Sequence, residues 1–352
     1  NPETMKKLYL VELLRFISSI SVLIYHYKIF FFQFNGYLEL NLNNKLFLLP
    51  FNSIINVFYK YGDYGVQMFW CISGFIISYV YLNKKYRVTS KEFFINRFSR
   101  LYPLHFITLI LVLFIQLISR SITGNYQLFE YNDIYHFFLN LFFISGWGFH
   151  NGFSFNQPIW SVSMELIAYI FFFISIKYIK NFELKFLFVT YIVLLFIDKS
   201  FSAPNMNDNI ISCVNLFISG TIIYFLTKKL NKNTFFWISI SLLIISFIGN
   251  FKIFMFCPAI LMLFIVSENL FKKKINKNFF SMLGNVTYST YLLHAPYSII
   301  LILLFKNQTE VYLNSFFFFF YFTSLIIVSS FVYILIEKNL QNKIRFFFDK
   351  KR

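Results

Sequence analysis

The chain has 352 residues, 58% of them hydrophobic and 23% aromatic, with a mean hydropathy of +0.61. Only 13% are charged, against about 25% in soluble domains, which excludes an ordinary water-soluble fold and leaves a polytopic membrane protein. The net charge of +17 does not indicate a nucleic-acid binder, because the basic residues fall in short clusters between apolar runs.

Apolar patterning predicts an all-α protein with ten membrane spans, at roughly 8–30, 64–83, 101–119, 158–177, 184–201, 209–227, 234–250, 253–271, 283–305 and 315–337. A Gly-interrupted piece at about 134–147 is too short to cross and reads as a half-helix or re-entrant segment. Asn1–Thr4, ahead of Met5, read as an expression remnant, and the whole chain reads as one transmembrane domain. With both termini cytoplasmic, every Lys and Arg except Arg15 and Lys28, Lys45, Lys60, Arg120, Lys199, Lys252 and Lys306 falls inside, a bias that fixes the orientation.

The first span holds Glu12, Arg15 and His26, and ionisable groups at that depth mark functional pathways. Arg15 and His26 fall within roughly 20° of one helix face and about 16 Å apart along it. Glu12, one turn before Arg15, is its natural partner. The second span carries Gly65–Phe75, whose small residues suit close helix packing. Arg97 and Arg100 follow, spaced to share a helix face and grip phosphate, or else to anchor the cytoplasmic side. Pro103 fits a helix's first turn or a kink, and His105 lies just beyond it, near enough to touch a donor. The outer loops 33–62 and 120–157 are rich in Asn, Gln and aromatic residues, suited to sugar contacts or interfacial anchoring, with His136 and His150 read as solvated.

Trp160-Ser161-Val162-Ser163-Met164-Glu165 opens the next span, placing Glu165 one to two turns below the outer surface. Glu165 could orient His26, pair with Arg15 or bond Tyr169. Cys71, Cys213 and Cys257 lack paired spacing, so neither a disulfide framework nor a metal site is expected. Tyr288-Ser289-Thr290-Tyr291-Leu292-Leu293-His294 lies mid-span before Pro296, with His294 either packed or reactive. The Phe316–Phe320 run reads as lipid-facing filler.

In their order along the chain these motifs resemble those of the acyltransferase-3 family of integral membrane acyltransferases. The resemblance implies transfer of an acyl group, usually acetyl, from cytoplasmic acyl-CoA to a hydroxyl at the outer side. Its acceptors include cell-wall, lipopolysaccharide and capsular glycans, and its setting is the inner or plasma membrane of a bacterial cell. It implies that His26 and Arg15 are the essential histidine and arginine, Arg97 and Arg100 the cytoplasmic pair, and Glu165 the acid of the Trp-Ser motif. Trp160, Ser163, Tyr291, His294, His105 and Glu12 are accessory candidates. Met164–Ile167 departs from the more acidic continuation of many relatives, and the hydrolase-like domain of some relatives is absent from this sequence. Direct transfer, or transfer to a separate protein, is then expected. A proton-coupled transporter or polysaccharide exporter using Arg15, His26 and Glu165 as a relay is the alternative, and an inactive scaffold a third.

Overall fold

A computed structural model describes residues 7–31, 46–82, 89–178, 184–200, 208–248, 252–271, 276–305 and 308–349. Asn1–Thr4, the loop up to Lys45, and the basic residues Lys6, Lys84, Lys85, Arg87, Lys180, Lys272, Lys273, Lys274, Lys306, Lys350, Lys351 and Arg352 lie outside the described residues.

Among the described residues the regular structure is entirely helical, and each expected span has its helix. These are α1 (Tyr9–His26), α3 (Tyr64–Tyr81), α4 (Ser90–Thr123), α6 (Ile159–Tyr178), α7 (Leu184–Ser200), α8 (Asp208–Lys229), α9 (Lys232–Ile248), α10 (Lys252–Phe271), α11 (Lys277–Leu304) and α12 (Ser315–Val332). Six stretches, including those built on α1, α4, α6, α8, α11 and α12, are long and apolar enough to cross a bilayer, so the protein is an all-α polytopic membrane protein.

Three elements fall outside the expected spans. The loop 33–62 contains α2 (Asn52–Tyr61), which exposes Ile54, Val57, Phe58 and Tyr61 and buries Tyr59. The piece at 134–147 is an eight-residue helix, α5 (Ile134–Leu141), only about 12 Å long and so unable to cross. Asp133 caps it by accepting from the His136 N–H, and Phe143, at φ 58, takes the left-handed conformation just after it. Beyond α12 a π-turn (Tyr333–Glu337) leads into α13 (Lys338–Asp349).

The largest departure concerns α4. It begins at Ser90 rather than near 101, so the basic stretch expected as loop is helix and Pro103 lies inside it. A helix of 34 residues is about 50 Å long, well beyond the ~30 Å hydrocarbon core. Its basic end can therefore stand outside the lipid tails without breaking the helix.

The chain packs as two compact units interleaved in sequence. The first draws on the described parts of Asn1–Ser18, Tyr64–Ser90 and Met164–Asn285, the second on those of Ser19–Asp63, Lys91–Ser163 and Val286–Arg352. In the first unit α3 and α8 meet backbone to backbone. A Cβ at Gly74 would collide with the Phe217 carbonyl, and one at Gly220 with the Cys71 carbonyl. Ser78 donates to the Gly74 carbonyl (2.7 Å) and to Thr221 Oγ1 (3.1 Å), so this seam is hydrogen-bonded as well as close. The packing reading of Gly65–Phe75 is thus borne out at Gly74. The second unit is built on aromatic packing of Tyr27 and Phe30 against Tyr312, Phe317, Phe318 and Tyr321. The phenylalanine run is accordingly divided, with Phe317 and Phe318 buried in this core and Phe316, Phe319 and Phe320 exposed.

Candidate active site

The polar centre of the second unit is the middle of α11, and a proline shapes it. Pro296 has no N–H, so the Leu292 carbonyl four residues back loses its ladder partner. Asn156 Nδ2 takes that carbonyl at 3.1 Å and also reaches Thr108 Oγ1 on α4 at 3.0 Å. Tyr291, one turn earlier than Ala295, meets Ser161 Oγ at 2.8 Å and donates to the Pro158 carbonyl at 3.2 Å. The first turn of α6, the 156–158 turn and the middle of α11 are thereby fixed to one another.

His294 lies within this frame, 1% exposed. Its Nδ1 is 2.6 Å from the Tyr291 carbonyl, which can only accept, so Nδ1 carries the proton and Nε2 holds a lone pair. Nε2 is buried and has no hydrogen-bond partner. The ring of His26, half-buried at the end of α1, lies 5.2 Å away, centroid to centroid, tilted by 56°. Residues 268 positions apart in sequence thus meet ring to ring.

One end of this unit is basic. Arg97 and Arg100 are half-buried on the N-terminal extension of α4, three residues apart on one helix face. Between them Ser99 accepts from Arg345 Nε of α13 at 3.3 Å. Tyr288 donates to the Leu101 carbonyl at 2.7 Å, and Asn156 bridges Thr108 and Leu292 further along. Ile299 then packs with Leu109, Val112 and Ile115, so α4 and α11 run side by side in the same direction. At about 1.5 Å per residue, the positions from Arg97 or Arg100 to Leu101 and the six from Tyr288 to His294 place Arg97 roughly 15 Å and Arg100 roughly 10 Å from the histidine along the helices.

Two acids went unflagged in the sequence. Glu337 is buried in the π-turn and accepts from Ser289 Oγ. In the first unit Glu268, 2% exposed, accepts the Leu10 N–H at 2.6 Å and so caps the start of α1. Each is a lone carboxylate at the end of an apolar run, which in sequence reads as a span boundary.

Arg15 forms the expected ion pair with Glu12, at 2.9 Å, within the first unit. Gly284 makes room for that carboxylate, since a Cβ there would collide with it. Glu165, 8% exposed, accepts from Tyr169 OH, one of the three arrangements expected of it.

Other expected site residues hold the frame. Ser163 accepts from the Gly146 N–H (2.8 Å) and donates to the Trp160 carbonyl (2.7 Å), while its own carbonyl takes the Trp147 indole N–H (2.9 Å). Its only hydroxyl proton is therefore engaged. Trp160, half-buried, contributes that carbonyl. His105 is fully buried against Phe143, and its Nε2 donates to the Asn140 carbonyl at 2.9 Å, tying α4 to the end of α5.

His136, expected in solvent, is instead 1% exposed. Its Nδ1 bonds Asp133 at 2.8 Å and its Nε2 accepts the Asn151 N–H at 3.2 Å, closing the loop 120–157 on itself. Asp133, three residues before it, supplies the partner that allows burial. Partial burial alone would raise the Asp133 carboxyl, but the His136 N–H and ring hold it below the usual carboxylate range. Burial, with His136 nearby, lowers His150, which is half-buried rather than solvated. Cys71, Cys213 and Cys257 are free and buried, and no metal-binding cluster occurs among the described residues.

These features define an integral membrane protein with a histidine-bearing interior and a basic helix leading toward it. The chain matches the acyltransferase-domain family, acyltransferase-3, over residues 8–334, and it belongs to that family. It is, in general terms, a membrane acyltransferase. No curated protein and no solved structure matches it.

Proposed function

We propose that the protein transfers an acyl group, most simply acetyl, from acyl-CoA on the cytoplasmic side to a hydroxyl of a cell-surface or lipid-linked glycan at the outer face. The observation that carries this reading is the spacing of roughly 10–15 Å along the helices between the arginine pair of α4 and the histidines of α11 and α1. An extended pantetheine arm, roughly 15 Å at the per-bond rise of an extended chain, is long enough to cover that spacing. Arg97 and Arg100 grip the phosphates of the donor, and the thioester reaches the imidazoles. His26, the half-buried member of the pair, takes the proton of the acceptor hydroxyl as that oxygen attacks the acyl carbon.

Within the first unit, Arg15 is half-buried and paired with Glu12, and Glu165 is buried and accepts from Tyr169 OH; the roles of essential arginine and motif acid that the family resemblance implies for them belong to this proposal. The excess of Lys and Arg on one set of loops supports cytoplasmic termini.

The test is thiol release from acetyl-CoA by the purified protein in lipid nanodiscs. We expect acceptor-dependent release that His26→Ala lowers at least about 100-fold, the usual contribution of a general base. Proton-coupled export without thiol release would refute acyl transfer and favour the transporter.

A further inference from the structure

The acyl-transfer mechanism uses one histidine, yet two rings meet at the centre of the second unit. His294 Nδ1–H is committed to the Tyr291 carbonyl, so the ring can neither flip nor exchange tautomers without losing that bond. Its Nε2 lone pair is left buried and unpartnered, on a ring that meets His26. A bare acceptor at 1% exposure is costly to keep, and Pro296, Asn156 and Tyr291 together hold it in place. His26 has the complementary need, because a base must point one nitrogen's lone pair at the substrate and donate its other N–H to something.

We infer that His294 is the positioning residue of a histidine pair: its Nε2 accepts the ring N–H of His26, fixing the His26 tautomer and steadying the imidazolium formed during transfer. This rests on the acyl-transfer reading above. The two rings are in contact rather than hydrogen-bonded in the free protein, and such bonds often tighten only with substrate bound. In the step itself the acceptor's oxygen bonds to the acyl carbon and the thioester C–S bond breaks. The hydroxyl proton moves to His26 and leaves on the departing thiolate as CoA thiol. His294 accepts a hydrogen bond throughout and gains no net proton.

Two variants separate positioning from packing. His294→Asn retains an amide donor near Nδ1 for the Tyr291 carbonyl but removes the Nε2 acceptor. His294→Gln puts an amide oxygen near Nε2 and gives up the Nδ1 anchor. Assayed as acetyl-CoA turnover by the purified protein, His294→Asn should lower kcat at least about 10-fold with KM for acetyl-CoA unchanged, and His294→Gln should recover part of that loss. In a His26→Ala background, His294→Asn should cost nothing further. The inference is overturned if His294→Asn is the better tolerated variant, if it raises KM while kcat stands, or if it costs as much without His26 as with it. Should either variant fail to fold, the surviving one decides by the same kcat and background comparison. Absence of turnover in the unsubstituted protein would instead defeat the acyl-transfer reading.

Discussion

The α3–α8 seam of the first unit and the α11 centre of the second are both polar and both buried in membrane helices, yet they put their polar groups to different uses. In the seam, Ser78 gives its proton to Gly74 and Thr221, Cys71 and Ser219 meet at 3.4 Å, and glycines close the remaining space. At the centre, Pro296 frees a carbonyl, Asn156 takes it up, and His294 Nε2 and Asn156 Oδ1 are still left without partners. Satisfied polar groups hold helices together, whereas a bare acceptor on a histidine ring is able to take a hydrogen bond when substrate arrives. A bare polar atom does not by itself mark the reaction site, because Gln67 Oε1 of α3 and the Asn215 amide of α8 are also buried without partners; what sets the centre apart is a bare acceptor on an imidazole that meets a second imidazole.

Substitutions can break either side of that contrast. Gly74→Leu forces a side chain into the Phe217 backbone, which cannot give way, so we expect loss of folded protein, at least about 4 kcal/mol, read as loss of a monodisperse peak in size-exclusion chromatography. Asn156→Leu orphans the Leu292 carbonyl and should cost about 1–3 kcal/mol, with a lowered Tm and a reduced kcat because the segment bearing His294 loosens. Ser78→Ala removes bonds whose acceptors keep other partners and should cost only about 0.6 kcal/mol, with turnover unchanged.

The smallest expected effect lies in the loop 120–157. The Asp133 carboxyl is held below its unfolded value, so its cap on α5 and its bond to His136 stabilise the loop above that value and are lost as pH falls through the folded one. Asp133→Asn should flatten the acid limb of the Tm–pH curve and leave neutral-pH turnover intact. A full acid limb in that variant would assign the transition to another group.

Much of this was legible in the sequence, for identifiable reasons. Hydropathy located a helix at each of the ten expected spans, six of them in stretches long and apolar enough to cross, because lipid forces each crossing helix to be continuous and apolar. The Arg15–Glu12 pair followed from i,i+3 spacing alone. The start of α4 was not legible, because a basic run beside a span reads as a cytoplasmic loop whether or not it is helical. The loop histidine His136 read as solvated because its burial depends on Asn151 as well as Asp133. The meeting of His26 and His294 has no local signal, and the Pro296–Leu292–Asn156 exchange that shapes their surroundings is tertiary.

Steady-state acetyl transfer by the purified protein, with acetyl-CoA varied, tests the central claim most directly when Arg97→Ala/Arg100→Ala and His26→Ala are compared side by side. The arginine variant should show a KM raised at least about tenfold with kcat largely kept, and the histidine variant a kcat lowered at least about 100-fold with KM kept. Near-normal kcat in His26→Ala, or an unchanged KM without the two arginines, would contradict the account.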